Sequence, residues 1–164
     1  MSADGYIARS DGDVEWLNRR PAPRGFYGMV EFYASCDTVI CGRKTYDFAL
    51  SMGQTSMKGL KNYVFSHGAP KSDAVEYYSG DVAPFAKRLR AEKGKNVWIC
   101  GGADVIAQFL DAGEVDEFSI HVVPVFIGEG IPLIAPRHRD VLLELIGSKT
   151  YRDGVVGLHY RVIR

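Results

Sequence analysis

The chain has 164 residues, and its 20 basic and 20 acidic side chains give a formal net charge of zero. A neutral chain of this length predicts a single domain, and it excludes the broad positive surface that binds nucleic acid or an anionic membrane. Hydrophobic residues make up 46% of the chain against 24% charged residues, without an apolar run long enough to span a bilayer. This composition is typical of a folded, water-soluble protein.

The cysteines and histidines predict free thiols and no metal site. Cys36, Cys41 and Cys100 are odd in number, and the last two end apolar runs. Buried thiols in a reducing compartment explain this arrangement best, so we expect a cytoplasmic protein. No C-x-x-C pair occurs and the histidines are scattered along the chain, so no metal ion is expected.

Strands and helices are predicted to alternate along most of the chain. Residues 1–24 are predicted as a loop, because Asp, Gly, Arg and Pro recur there, and apolar residues at helical spacing predict a helix from Gly25. The other predicted strands are 38–41, 62–66, 75–78, 96–100 and 117–125, and the other predicted helices are 45–51, one beginning at Asp81, and 103–110.

The chain ends in a predicted hairpin. Two long apolar segments, 142–151 and 155–163, are separated by Asp153 and Gly154, and glycine accepts the positive φ that a tight turn needs. Alternating strands and helices followed by a hairpin predict an α/β protein, with a mostly parallel central sheet and a C-terminal antiparallel hairpin.

Two segments, Thr38–Thr45 and Val97–Asp104, share one pattern: an apolar run stops at Cys-Gly and passes into a helix. A helix that starts after glycine directs several backbone N–H groups at one point, which favours an anion such as phosphate. Two such turns in one domain predict a nucleotide with more than one phosphate. The alternative is that each glycine only makes a tight turn, since neither G-x-G-x-x-G nor G-x-x-x-x-G-K-S/T occurs.

Residues beside these turns could hold the phosphates. Arg43 and Lys44 add positive charge beside the first turn, and Thr45 adds a hydroxyl group. Ser66 and His67 follow another predicted strand, and the carboxyl ends of parallel strands share one edge of a sheet. We therefore expect a polar, partly cationic corner suited to a phosphomonoester, unless Ser66 and His67 are ordinary turn residues.

Six segments follow one another along the chain: Ser2–Ala8, Asp11–Leu17, Cys41–Tyr46, Ile99–Asp104, Val115–Phe118 and Pro124–Leu133. Together they resemble the dihydrofolate reductase-like family, in the branch related to the reductase domain of bacterial riboflavin biosynthesis. The resemblance implies a three-layer α/β fold that binds NADPH and transfers hydride to a small pterin-like, pyrimidine-like or carbonyl substrate, often as a homodimer. It also implies that the first central strand of the domain is missing or truncated at the N-terminus of residues 1–164.

The resemblance implies roles for individual residues. The implied cofactor-binding residues are Gly42, Arg43, Lys44 and Thr45 at the phosphates, Ser66 and His67 at the 2′-phosphate, Cys100, Gly101, Gly102, Ala103, Asp104 and Val105 along the pyrophosphate and nicotinamide, and Ile7 and Ala8 over the nicotinamide. Asp4 is the candidate catalytic residue for proton handling, with an Asp-Gly turn as the alternative.

The substrate is less defined than the cofactor. Trp16, Phe26 and Val30 are the candidate substrate-binding residues, although all three could be core residues. Dihydrofolate reductases carry an acidic residue on their first helix, near Phe26 here, and residues 25–33 offer only Glu31. Folate is therefore not the expected substrate. The alternative to an enzyme is a nucleotide-binding sensor module that keeps the cofactor cleft without turnover.

Overall fold

The computed structural model describes residues 1–19, 23, 25–68 and 71–164. In chain order its elements are β1 (Tyr6–Ala8), α1 (Glu15–Asn18), a 3-10 turn (Phe26–Gly28), α2 (Met29–Ala34), β2 (Cys36–Gly42), α3 (Arg43–Ser51), β3 (Lys61–Phe65), β4 (Glu76–Tyr78), α4 (Val82–Ala91), β5 (Asn96–Gly101), α5 (Ala103–Asp111), β6 (Glu117–Val122), β7 (Ile131–Pro132), β8 (Leu143–Thr150) and β9 (Val156–Val162).

The chain divides into two compact units, one formed by residues 1–28 and 115–164 and the other by residues 29–114. The single domain expected over residues 1–164 stays a prediction, because compactness does not test whether the units fold independently. Among the described residues, no helix combines the length and the hydrophobicity that crossing a bilayer requires.

The unit of residues 29–114 is built on a parallel sheet with the strand order β4-β3-β2-β5. β2 lies inside this sheet, and its β-branched residues Val39 and Ile40 are 5% and 0% exposed. A strand buried on both faces is expected to be apolar throughout, which explains why this run lacks a polar alternation. β2 therefore anchors the sheet and fixes where its carboxyl end at Gly42 lies.

The helices of this unit are held on the sheet by apolar side chains. Phe85 of α4 is 1% exposed. Its ring centroid lies 5.1 Å from that of Tyr63, 5.0 Å from that of Phe65 and 4.5 Å from that of Tyr78. Near-perpendicular and tilted aromatic pairs at these distances add to the free energy of apolar burial. Phe109 of α5 packs on the same cluster, 5.4 Å from Phe65.

The unit of residues 1–28 and 115–164 contains an antiparallel sheet with the order β6-β9-β8, and β1 pairs with β7. The turn between β8 and β9 contains Asp153 and Gly154, and Gly154 has a φ of +85°. The predicted hairpin is confirmed, and β6 joins it as a third strand. Gly130 allows β1 and β7 to approach, since a Cβ on Gly130 would overlap the carbonyl oxygen of Ala8.

Two predicted segments differ from the structure. The predicted loop 1–24 contains the short elements β1 and α1, while residues 20–22 and 24 lie outside the described part of the chain. The strand predicted over 117–125 ends at Val122. Pro124 has no N–H group to continue a ladder, which explains the early end.

The helix predicted from Gly25 begins only at Met29, because Phe26 and Tyr27 have φ angles of +47° and +60°. The side chain of Tyr27 donates a hydrogen bond of 2.5 Å to Asp153 Oδ2. Its carbonyl oxygen accepts one of 2.8 Å from the hydroxyl group of Tyr151. These contacts stabilise a left-handed backbone conformation that residues other than glycine rarely adopt.

Candidate functional site

The two Cys-Gly turns lie side by side. β2 and β5 are hydrogen-bonded parallel neighbours, and Cys41 is the register partner of Gly101. The carboxyl ends of both strands therefore meet at one edge of the sheet, as the sequence pattern predicted. In open α/β sheets this edge is where ligands bind.

The backbone at this edge is too crowded for side chains on its glycines. A Cβ on Gly42 would lie 3.0 Å from Cγ2 of Val105 and 3.6 Å from the backbone nitrogen of Gly102. A Cβ on Gly102 would lie 3.2 Å from the hydroxyl oxygen of Thr45. Both glycines have ordinary negative φ angles, so space and not backbone conformation requires them. We call residues Gly42–Thr45 and Gly101–Val105 the glycine cradle.

Both walls of the glycine cradle are helix N-termini. α3 begins directly after Gly42 and α5 directly after Gly102, and each helix has nine residues. No side chain caps either helix within the described residues, so the backbone N–H groups of both first turns are directed at the cradle. Two adjacent helix N-termini with these groups uncapped favour an extended anion such as a diphosphate.

Ser66 and His67 extend the same edge on the other side of β2. β3 pairs with β2 so that Phe65 is the register partner of Gly42, and Ser66 follows directly. The backbone N–H of Ser66 donates to the carbonyl oxygen of Tyr78, and its hydroxyl oxygen accepts a hydrogen bond from the N–H of Gly68. His67 is exposed. The structure thus brings both residues to the edge at which the glycine cradle lies.

The positive charges beside the cradle differ in how they are held. Nε of Arg43 donates hydrogen bonds of 2.7 and 2.9 Å to the two carboxylate oxygens of Asp47. Its guanidinium also lies 5.7 Å from the centroid of the Tyr77 ring. Lys44 is exposed beside it. The sequence analysis missed both partners of Arg43, although the four-residue spacing could have indicated Asp47; no sequence pattern indicates Tyr77.

The first turn of α5 contains both buried apolar residues and an exposed acidic residue. Ala103 and Val105 are 8% and 5% exposed and fix the helix against the sheet. Asp104 is exposed in the first turn, where a carboxylate interacts favourably with the helix dipole. A negative charge at this position also repels an approaching phosphate, so the bound anion would lie on the glycine side of the turn.

Two cysteines line an apolar cavity of about 50 Å³ beneath α3. Burial raises the pKa of the Cys41 thiol to about 11. Burial also raises the pKa of the Cys100 thiol to about 12, with a smaller contribution from Cys41. Both thiols are therefore protonated at neutral pH, and they add no charge to this cavity.

Asp4 lies in the other unit, and its carboxylate is occupied by hydrogen bonds. Oδ2 accepts from the backbone N–H of Ile127 at 3.1 Å and of Gly128 at 2.8 Å. A hydrogen bond from the Ser2 side chain, followed by those backbone bonds, lowers the pKa of Asp4 below its usual value. The carboxylate is ionised at neutral pH and connects the N-terminal turn to residues 127–128. Its predicted role in proton handling stays a prediction.

The remaining predicted residues are placed as follows. Ile7 and Ala8 lie on β1, and Ala8 is 7% exposed. Trp16 on α1 is 3% exposed, which is typical of a core residue, and Nε1 of its ring is buried without a hydrogen-bond partner among the described residues. Phe26 and Val30 are 57% and 61% exposed. Their predicted contacts with cofactor or substrate stay predictions.

These features define an α/β protein of the dihydrofolate reductase-like class, with its polar site at the carboxyl edge of a parallel sheet. The chain belongs to the RibD C-terminal domain family, whose family model matches residues 80–157. It is 38% identical to the uncharacterised protein YwjB of Bacillus subtilis, over 98% of this chain and 92% of that protein. The predicted fold class and family resemblance are confirmed.

Solved structures show the same fold. A putative riboflavin biosynthesis protein from a Shewanella species superposes with a TM-score of 0.86 at 26% identity, covering 100% of this chain and 96% of that one. A pyrimidine reductase-like protein from Corynebacterium diphtheriae superposes with a TM-score of 0.69 at 16% identity, covering 100% of this chain and 89% of that one.

Proposed function

We propose that this protein is a cytoplasmic NADPH-dependent reductase that transfers hydride to a small heterocycle of the pyrimidine or pterin type, or to a carbonyl compound. The glycine cradle carries this proposal, because two adjacent uncapped helix N-termini match a dinucleotide pyrophosphate. Membership of the RibD C-terminal domain family and the fold of a pyrimidine reductase-like protein support it.

The residues of the cradle fit this cofactor. Gly42 and Gly102 let the two turns pack closely, because a Cβ on either glycine would press against Val105 or Thr45, so the two helix N-termini begin side by side. The first-turn N–H groups of α3 and α5 would bind the pyrophosphate. The side chains of Arg43, Lys44, Ser66 and His67 would bind a 2′-phosphate, which favours NADPH over NADH. When bound, NADPH supplies the hydride.

The chain itself would bind, orient and shield the reacting groups. The thiols of Cys41 and Cys100 are protonated at neutral pH, so they add no negative charge that would repel the cofactor phosphates. The ionised Asp4 carboxylate holds residues 127–128 in place and is a poor proton donor at neutral pH. We therefore assign Asp4 a positioning role in this proposal, with proton handling as the alternative.

A cofactor titration tests the binding half of the proposal. Calorimetry at constant ionic strength should give at least about tenfold tighter binding of NADPH than of NADH, since charge-assisted hydrogen bonds to the 2′-phosphate contribute about 1.5–3 kcal/mol. Arg43→Ala with Lys44→Ala should remove most of that difference. Lys87→Ala with Lys93→Ala is the matched control, because it also removes two exposed positive charges, at positions outside the cradle. Equal losses for both cofactors would contradict the proposed 2′-phosphate site.

A panel of candidate substrates tests the catalytic part of the proposal. NADPH oxidation should be followed with pyrimidinones, pterins, flavins and simple carbonyl compounds, and one class should stimulate it. NADPH binding without turnover across the panel would instead favour the alternative, a nucleotide-binding sensor module.

A further inference from the structure

Two free thiols, Cys41 on β2 and Cys100 on β5, lie on neighbouring strands of the parallel sheet. Ile40 pairs with Ile99 and Cys41 pairs with Gly101, so Cys100 is one extra residue inserted between two pairs of the ladder. In such a bulge, two residues of one strand lie opposite a single residue of the other. Cys100 and Gly101 therefore both lie opposite Cys41, and the two cysteines are cross-strand neighbours.

The side chains of Cys41 and Cys100 also face the same space. Both line the apolar cavity beneath α3, so both lie on the face of the sheet that this helix covers. Burial is the larger cause of the raised pKa of Cys100, and the charge of a Cys41 thiolate raises this pKa further. An effect of one thiolate on the other requires the two sulfur atoms to be close. Register, cavity and electrostatics thus indicate one pair of adjacent thiols, which we call the dithiol.

The surroundings of the dithiol favour a ligand whose complex carries no charge. The surface of the cavity is almost entirely apolar, with Val39, Ala49 and Val64 among its lining residues. A charge without a partner loses hydration free energy in such surroundings, which is also why burial raises the pKa of both thiols. A Cu⁺ ion bound by two thiolates would keep a net negative charge in this cavity.

The number of ligands narrows the choice further. Within the described part of the chain, no group of three or more Cys, His, Asp or Glu side chains could hold a metal ion. A structural zinc ion needs four ligands, so two thiols alone do not form a zinc site. Trivalent arsenic instead binds two sulfur atoms and keeps one hydroxyl group, and the complex is neutral.

We propose that the dithiol is a binding site for trivalent arsenic, which enters as uncharged arsenous acid. Two As–O bonds and two S–H bonds break, and two As–S bonds form. The two thiol protons leave with the two displaced hydroxyl groups as water, so arsenic keeps its oxidation state and both reactants and product are uncharged. One water needs about 10–15 Å³ of such a cavity, so a volume of about 50 Å³ has room for the remaining AsOH group. The proposal involves neither NADPH nor a substrate, so it is independent of the proposed function.

Mass spectrometry of the folded chain with arsenite tests the site. The wild type should bind one arsenic atom, with the gain of one AsOH group and the loss of two hydrogens. Cys41→Ser should weaken binding by about a hundredfold or more, because the second As–S bond forms within one molecule and its loss removes that advantage. Cys36→Ser is the matched control, since Cys36 is a free thiol at the opposite end of β2 and is 4% exposed. It should bind arsenic as the wild type does.

Two further measurements keep the test independent of how one variant folds. Cys100→Ser removes the other sulfur atom and should weaken binding to the same extent, and circular dichroism checks the fold of each variant. On the wild type, dimercaptopropanol should remove the arsenic, whereas mercaptoethanol at an equal thiol concentration should not, since only the former offers two sulfur atoms in one molecule. No adduct on the wild type, undiminished binding in folded Cys41→Ser, an equal loss in folded Cys36→Ser, or equal removal by both reagents would overturn the proposal.

Discussion

Arg43 has two partners before any ligand arrives. Its Nε is bound by both oxygens of Asp47, and its guanidinium lies over the ring of Tyr77. Arg43 and Asp47 are 43% and 46% exposed, so water screens their pairing and it adds little to stability. Its effect is instead to orient the guanidinium and to reduce the net charge that a 2′-phosphate would meet.

Removing the carboxylate should therefore strengthen cofactor binding. Asp47→Asn keeps the size of the side chain but leaves the charge of Arg43 uncompensated, so affinity for NADPH should rise severalfold while that for NADH stays unchanged. Calorimetry measures both. Asp73→Asn is the matched control, because Asp73 precedes β4 and so lies at the opposite end of that strand from the candidate site. Weaker NADPH binding in Asp47→Asn would show that orientation by Asp47 outweighs its charge.

At the scale of elements, two strand–glycine–helix units form the candidate site. β2 leads through Gly42 into α3, and β5 leads through Gly102 into α5. Since the strands are parallel neighbours, the helix N-termini are adjacent without any further contact to bring them together. The site thus follows from the sheet order, and the glycines let the two turns pack closely.

A graded substitution at Gly102 tests whether the glycine cradle binds the cofactor. Gly102→Ala places a Cβ 3.2 Å from the Thr45 hydroxyl oxygen and should weaken NADPH binding slightly. Gly102→Val fills the cradle and should weaken it more than about tenfold, because one lost hydrogen bond to a charged phosphate is worth about 1.5–3 kcal/mol. Fluorescence titration measures the affinity and circular dichroism the fold. Undiminished binding in Gly102→Val would exclude this cradle as the cofactor site.

The elements that carry this site were predictable because their patterns are local. An apolar β-branched run ending at glycine identified both β2 and β5, and their shared edge follows from parallel pairing. The late start of α2 was not predictable, because Phe26 and Tyr27 adopt positive φ angles that depend on contacts with Asp153 and Tyr151, distant in sequence. Short elements such as β1 give too few residues for a periodic pattern.

At the scale of the whole molecule, Asp4 joins two distant parts of the sequence. Its carboxylate binds the N–H groups of Ile127 and Gly128, more than 120 positions along the chain. The Ser2 hydroxyl accepts from the N–H of Tyr6 at 2.9 Å and also lowers the pKa of Asp4. The sequence indicated Asp4 as a candidate functional residue, but its partners depend on the fold and could not be predicted.

The lowered pKa makes the contribution of Asp4 to stability dependent on pH. Its pKa in the folded state lies below the value of 3.8 expected without these contacts. The stabilisation is therefore complete above that value and is lost as the pH falls through the folded-state pKa. Asp4→Asn should lower the free energy of unfolding at pH 7, and the difference from the wild type should shrink below about pH 4. Urea denaturation at several pH values measures this difference; one that does not vary with pH would contradict the assigned carboxylate contacts.

The half-buried thiols of Cys41 and Cys100 also allow chemical modification to probe the stability of the parallel sheet. Electrophiles such as iodoacetamide attack the thiolate form, and a rise in pKa from 9 to about 11 at Cys41 reduces the fraction of thiolate about a hundredfold. Cys100 is protected still more strongly. Alkylation of these positions should therefore be slow in the folded chain and faster once the parallel sheet opens, and mass spectrometry can compare the two rates at the edge that carries the glycine cradle.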